Sequence, residues 1–343
     1  MKDNKKHKKA EYGILITGLI ILLAATCVIA LCAGQYSVSV PEVIKILASR
    51  FVNVTKTWSN TAEGVVFTLR LPRIIGAVLV GSALSLSGAA YQGVFKNPLV
   101  APDLLGVSSG ACVGASVAIL LHLNSFGVQA MAFVAGILAV GLTLFIPRLI
   151  KNTNMTMLVL SGIIVKGIMD SVMGIIKYVA DPETELQSIT YWQLGSLTKV
   201  LPRDLFTVGP VIIAASVIIF LLRWRINILS LGDREAKTLG VSVTVVRNFI
   251  IICATLLTAS AVCISGTIGW IGLVIPHFAR MLTGPDNTKA IPASILIGAI
   301  FMVAIDTLAR ALTSVELPLS ILTGIIGAPF YIIILARQRM KLS

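Results

Sequence analysis

Runs of about 20 mostly apolar residues recur along the whole chain, each long enough to cross a bilayer as a helix. They cover 13–34, 67–90, 99–121, 126–147, 155–179, 205–223, 245–265, 268–283, 290–312 and 317–336. Short polar stretches separate them. The pattern predicts an all-α polytopic membrane protein with ten transmembrane helices, in which residues 1–343 form one transmembrane domain. Its main appendages are a tail, 1–12, and a polar loop, 224–244. Pro41 to Leu47 predicts a further short helix lying on the surface, with proline in its first turn.

Charge orients the spans. Lys2, Lys5, Lys6, Lys8 and Lys9 precede the first run. With Ile29-Ala30-Leu31-Cys32 they resemble a cleaved lipoprotein leader, but nine further runs favour an uncleaved helix. Cytoplasmic loops carry an excess of Lys and Arg. Counting from a cytoplasmic N-terminus, inside loops hold Lys96, Arg148, Lys151, Arg223, Arg225, Arg234, Lys237, Arg280 and Lys289. The C-terminal Arg337, Arg339 and Lys341 also fall inside, while the outer loop 180–204 holds Asp181, Glu183 and Glu185. Arg70, Arg73 and Arg310 run against this trend, at the outer mouths of two spans.

Four features depart from plain apolar helix. Gly106, Gly110 and Gly114 recur every fourth residue, a face on which another helix can approach closely. Lys166 and Asp170 lie four apart inside the fifth run, hence on one helix face, and Asp306 with Arg310 repeat the spacing in the ninth. Such pairs either neutralise each other between helices or line a wet path. Ala83-Leu84-Ser85-Leu86-Ser87-Gly88 echoes Ala261-Val262-Cys263-Ile264-Ser265-Gly266, with Pro98 and Pro276 at matching offsets, as in an inverted repeat. Arg223-Trp224-Arg225 closes the sixth run, and Gly232 and Gly240 then bracket a short amphipathic helix. That helix either lies on the membrane surface or docks on a soluble partner.

Composition narrows the function classes. The chain is 56% hydrophobic and 13% charged. Its net charge of +13 is spread between spans rather than gathered in a basic module, which argues against nucleic acid. Cys27, Cys32, Cys112, Cys253 and Cys263 all lie in apolar runs without metal spacing, and His7, His122 and His277 are dispersed; no metal site is expected. There is no G-x-x-x-x-G-K-[ST], no H-E-x-x-H and no G-x-S-x-G, so neither nucleotide hydrolysis nor intramembrane hydrolysis has a motif here.

Taken together, several motifs resemble the FecCD-type permeases, the membrane subunits of ABC importers for iron-siderophores, haem and vitamin B12. They are Arg70-Leu71-Pro72-Arg73, Asn97-Pro98-Leu99, Leu105 to Ala111, Trp192 to Leu197, Ala236 to Val241, Gly269 to His277, Asp306 to Arg310, Glu316-Leu317-Pro318 and Thr323 to Phe330. The resemblance covers essentially the whole chain. It implies the ten-helix fold of the vitamin B12 importer permease, a type II ABC importer. It also implies a second permease subunit, identical or paralogous, an ABC ATPase dimer that holds ATP and Mg, and an extracytoplasmic siderophore-binding protein. The chain itself is then no enzyme and binds no cofactor, and iron enters only as chelated substrate. Arg70, Arg73 and Arg310 match the family's docking arginines for that binding protein. Ser230, Leu231, Gly232, Asp233, Arg234, Glu235, Ala236, Leu239, Gly240 and Val241 match its ATPase-coupling loop. Met155 and Thr156 fall at its inner gate, and Lys166 and Asp170 depart from its usual apolar fifth helix. The expected function is passage of a ferric siderophore across the cytoplasmic membrane of a prokaryote, with both termini cytoplasmic. An ion-coupled secondary transporter is the rival class, and haem or vitamin B12 the rival cargo.

Overall fold

The computed structural model describes residues 2–152, 154–313 and 315–339, with side chains described from 10 to 333 within those ranges. The lysines ahead of residue 10 and the C-terminal Arg337, Arg339 and Lys341 lie outside the described side chains. Among the described residues every regular element is helical. The order is α1 (Lys2–Cys32), α2 (Val40–Ala48), α3 (Asn60–Gly64), α4 (Leu71–Phe95), α5 (Val107–Leu120), α6 (Ser125–Leu149) and α7 (Met155–Val179). Then follow α8 (Glu185–Leu194), α9 (Pro202–Leu231), α10 (Asp233–Thr238), α11 (Val243–Ser265), α12 (Ile271–Thr283), α13 (Asn287–Ala311) and α14 (Leu319–Arg339).

Seven helices among the described residues are long and apolar enough to cross a membrane, and α5, α12 and the described part of α14 are shorter apolar helices. These elements account for the ten apolar runs, but length alone does not carry all ten across. The run 99–121 is interrupted because Pro102 starts a 3-10 turn, Pro102–Leu105, and Gly106 at φ +82° resets the chain before α5. Fourteen residues rise about 21 Å, short of a hydrocarbon core about 30 Å thick. The eighth run is shortened in the same way, since Gly266 and Trp270 both adopt positive φ and α12 starts only at Ile271.

The core centres on α4, whose face is almost wholly buried against α9, α11, α12 and α13. Small residues permit this. A methyl group on Gly88 would fall on the carbonyl of Gly272 in α12, and one on Gly81 would fall on that of Gly298 in α13. The 106/110/114 face behaves as expected at two of its positions, with Gly110 and Gly114 against Ala135, Ala139 and Met131 of α6. Buried hydroxyls stitch α4 to α11: Ser87 Oγ and Thr258 Oγ1 lie 2.7 Å apart, and Tyr91 Oη and Thr255 Oγ1 2.9 Å.

Three details refine the sequence reading. The two copies of the echo fall at different points of their helices: Gly88 is inside α4 whereas Gly266 ends α11, and Pro98 lies in a connection whereas Pro276 lies inside α12. Arg223-Trp224-Arg225 does not end the helix: α9 continues to Leu231 and stops where Gly232 turns at φ +145°. The loop 180–204 contains α8, whose polar composition hid it.

Candidate functional site

Three regions gather the residues singled out by sequence: the end of the bundle holding the arginines, the opposite end holding α10, and one face of α7 between them.

The arginine end begins with a helix defect. Pro72 has no N–H to give to Thr68, and the turn before it widens into a π segment, Val65–Arg70, in which the Leu71 N–H bonds the Val66 carbonyl. Arg70 and Arg73 thereby reach different partners. Arg70 donates to the carbonyls of Leu31 (2.6 Å), Cys32 (3.2 Å) and Tyr36. Arg310 donates to the carbonyls of Ala33 (2.8 Å) and Ala30. Both guanidiniums therefore satisfy the open carbonyl end of α1, where cations complement the helix dipole. Arg73 Nε donates to both oxygens of Asp306 at 2.8 and 2.9 Å, and its Nη1 donates to Glu316 Oε1 at 2.8 Å. Asp306 Oδ2 also lies 3.9 Å from Arg310 Nε, so the pair read as i,i+4 is part of a triad between α4 and α13. The three arginines are 5–8% exposed and Asp306 is 1% exposed. Glu316 alone reaches the surface, and it also accepts from Thr198 Oγ1. Burial pushes the Glu316 carboxyl up, but the bonds from Arg73 and Thr198 outweigh it and hold it below its ordinary value. Sequence reasoning found the arginines and the Asp306–Arg310 spacing but missed the Arg73 partners, which lie over 200 residues away, and the carbonyls at the end of α1.

At the opposite end α10 is tethered at three points. Ala236 is buried, Ser230 Oγ donates to the Gly93 carbonyl at 3.3 Å, and Asp233 accepts from Arg247 Nη2 at 2.8 and 3.0 Å. Lys96 Nζ approaches the same carboxylate at 3.5 Å. The Arg247 bond holds the Asp233 carboxyl below its ordinary value, against a push upward from partial burial. Everything else faces out: Arg234, Glu235, Lys237 and Gly240 are exposed, and so are Leu231 (64%) and Leu239 (58%), with Val241 half-buried beside them. Below α10, Asn227 of α9 donates to Asp286, the N-cap of α13, at 2.6 Å, and accepts from the Asn287 N–H at 2.8 Å.

On α7, Lys166 Nζ and Asp170 Oδ2 pair at 3.3 Å, with side chains 48% and 56% exposed. Met155 and Thr156 occupy the first turn, begun by Asn154, whose Oδ1 accepts from the Met157 N–H at 2.8 Å. Eleven residues of helix, about 16 Å, separate Met155 from Lys166, so these candidates are not brought together. The charged pair instead opens on a cavity of about 490 Å³. Met173, Gly174 and Lys177 continue the same face of α7, and Ser108, Ser109 and Cys112 of α5 form the facing wall. Asp103, Gln193 and Thr267 complete the lining. The 4-3-4 spacing of Lys166, Asp170, Met173 and Lys177 puts them on one face of α7; the α5 wall and Gln193 carry no such signal in the sequence. No group of His, Cys, Asp or Glu that could hold a metal occurs among the described residues.

Comparison with known proteins agrees with this architecture. Residues 21–337 match the FecCD transport family. The chain is 38% identical over 322 residues to the molybdate import system permease protein MolB of Haemophilus influenzae, spanning 94% of this chain and 95% of that one. It is 40% identical over 275 residues to a permease assigned to an iron chelatin transport system of Helicobacter pylori, spanning 80% and 83% respectively. A solved structure assigned to the metal-chelate type of ABC transporter, captured facing inward, superposes with a TM-score of 0.85 at 35% identity, over 95% of this chain and 99% of the other. Ten apolar runs, a helical core built on α4 and likeness over nearly the full length lead to one conclusion: this chain is a membrane-spanning permease of the FecCD transport family.

Proposed function

We propose that the chain is the translocating subunit of an ATP-driven importer and that it moves a ferric siderophore inward through a path shared with a second permease subunit. One observation carries the path. Lys166 and Asp170 sit half-exposed near the middle of a 25-residue apolar helix, on the outside of the chain. A charged pair at that depth is costly against lipid and instead faces protein or a water-filled cavity. A second permease subunit, a copy or a paralogue, covers this face and encloses the groove. Seven long and three shorter apolar helices suit ten crossings of a prokaryotic cytoplasmic membrane, with both termini and α10 inside.

The α10 surface is the docking site for an ATPase dimer that binds and hydrolyses ATP with Mg. Exposed Leu231 and Leu239, ringed by Arg234, Glu235 and Lys237, supply an apolar anchor with a charged rim. The Asn227–Asp286 link joins the base of α10 to α13 and so carries its movement into the bundle. At the other end an external binding protein docks over Arg70, Arg73 and Arg310. Its carboxylates compete with Glu316, the exposed partner of Arg73. Met155 and Thr156 stand at the inner end of the path. No chemistry occurs on the cargo, and the chain needs no cofactor of its own.

The test is ATP-dependent uptake of labelled ferric siderophores, haem and vitamin B12 into proteoliposomes holding this chain, its ATPase and its binding protein. Uptake of a ferric siderophore that disappears in the Leu231→Asp/Leu239→Asp double variant supports both cargo and coupling. Uptake that follows an ion gradient without ATP overturns the reading.

A further inference from the structure

The α7 groove is not uniform. At its lower end carboxylates outnumber cations: Lys166 is bound to Asp170, and the turn carrying Asp103 packs at the same level, where Gly106 meets Val165 and Gly162 meets the Leu104 carbonyl. Lys177 stands eleven residues further along, about 16 Å away, and among the described residues no carboxylate pairs with it. The rest of the polar lining is neutral: Ser108 and Ser109, which follow Gly106 at the lower end, with Gln193 and Thr267. Lys177 also lies in the last turn of α7, where a cation complements the helix dipole. That explains why a lysine is tolerated there, not why it borders the cavity. No aromatic side chain lines the groove among the described residues, so a flat macrocycle finds nothing to stack on. The volume, about 490 Å³, suits a small chelate and exceeds the need of a bare ion.

We propose that the Lys177 end of this groove is an anion-selecting subsite, which takes a hydrophilic, oxygen-rich anion and discriminates against haem and corrin macrocycles. The class includes free tetrahedral oxyanions and hydroxycarboxylate chelates of iron, which share negatively charged oxygens that Lys177 attracts. The inference rests on the reading of this groove as the path.

The test uses Gly174→Cys in a variant whose native cysteines are replaced, within the purified permease–ATPase complex. Gly174 is exposed, has open space where a side chain would stand, and lies one turn from Lys177. Rates of labelling by sulfonate-bearing and ammonium-bearing methanethiosulfonates are compared. The expected result is a sulfonate rate about tenfold above the ammonium rate after correction for intrinsic reactivity. That preference is lost in Lys177→Gln and kept in Lys177→Arg. Ferric citrate or molybdate slows labelling, and cyanocobalamin and haemin do not; whichever of the first two protects identifies the source of the anion. Labelling with no charge preference, with a preference unchanged by Lys177→Gln, or with protection by cyanocobalamin or haemin alone overturns the inference and leaves the path reading standing. Failure of both reagents to reach Gly174→Cys overturns the path reading, and the inference with it.

Discussion

The two ends of the bundle handle charge in opposite ways. At the arginine end three cations and one carboxylate, Asp306, are drawn inward, bonded to one another, to Glu316 at the surface and to the carbonyls that finish α1. On α10 the charges stay in water apart from Asp233, which is bound to Arg247 and Lys96. Removing a member of the first set leaves buried charge uncompensated, whereas removing one of the second releases a short helix. Similar residue types thus serve permanence at one end and adjustability at the other, and burial makes the difference.

Asp306→Ala should break the contrast most severely. It strands Arg73 and Arg310 without their shared carboxylate, a loss of about 3–5 kcal/mol for a buried pair. The expected outcome is failure to recover monodisperse protein, or a Tm far below that of the parent, by size exclusion and thermal unfolding in detergent. Gly34→Ala comes next. Gly34 sits at φ +140°, and a side chain there would stand 2.7 Å from Arg70 Nη2 and 3.2 Å from Arg310 Nη1. Backbone strain alone costs about 1–3 kcal/mol, so a clear fall in Tm is expected with the protein still assembled. Asp233→Asn should cost about 1 kcal/mol, since the carboxylate it alters is half-exposed, while amide exchange across Asp233–Thr238 accelerates. Equal Tm losses for Asp306→Ala and Asp233→Asn would erase the distinction between the ends.

The smallest effect concerns pH. Asp233 has its folded carboxyl below the ordinary value of about 3.9 because Arg247 donates to it. Its contribution is therefore complete above the ordinary value and is lost only as pH falls through the lowered one. Exchange protection of α10 should stay flat from pH 8 to pH 5. A marked loss within that window would show that Asp233 is not the tether.

Local patterns carried much of this molecule. Pro41 announced α2, which runs from Val40 to Ala48, and Gly232 with Gly240 bracketed α10 within a residue at either side. The Lys166–Asp170 spacing gave a pair that the fold does form. Arg70, Arg73 and Arg310 were legible as misplaced cations, but their burial was not, since Asp306 lies 233 residues from Arg73 and the α1 carbonyls carry no sequence signal. The α5 wall of the groove was hidden for a related reason. Ser108, Ser109 and Cys112 are unremarkable in a helix until α7 is laid beside them.

The π segment ahead of Pro72 has a consequence for how length changes in this chain should be scored. A widened turn absorbs one residue that a regular helix of the same rise would not need. Deleting one position within 65–69 would close the turn to regular helix and leave the segments on either side in register. Arg70 would stay three residues ahead of Arg73 and within reach of the carbonyls of Leu31 and Cys32. A one-residue gap at this point is thus compatible with the arginine cluster, whereas a gap inside α4, which has no such slack, would rotate everything before it by about 100°.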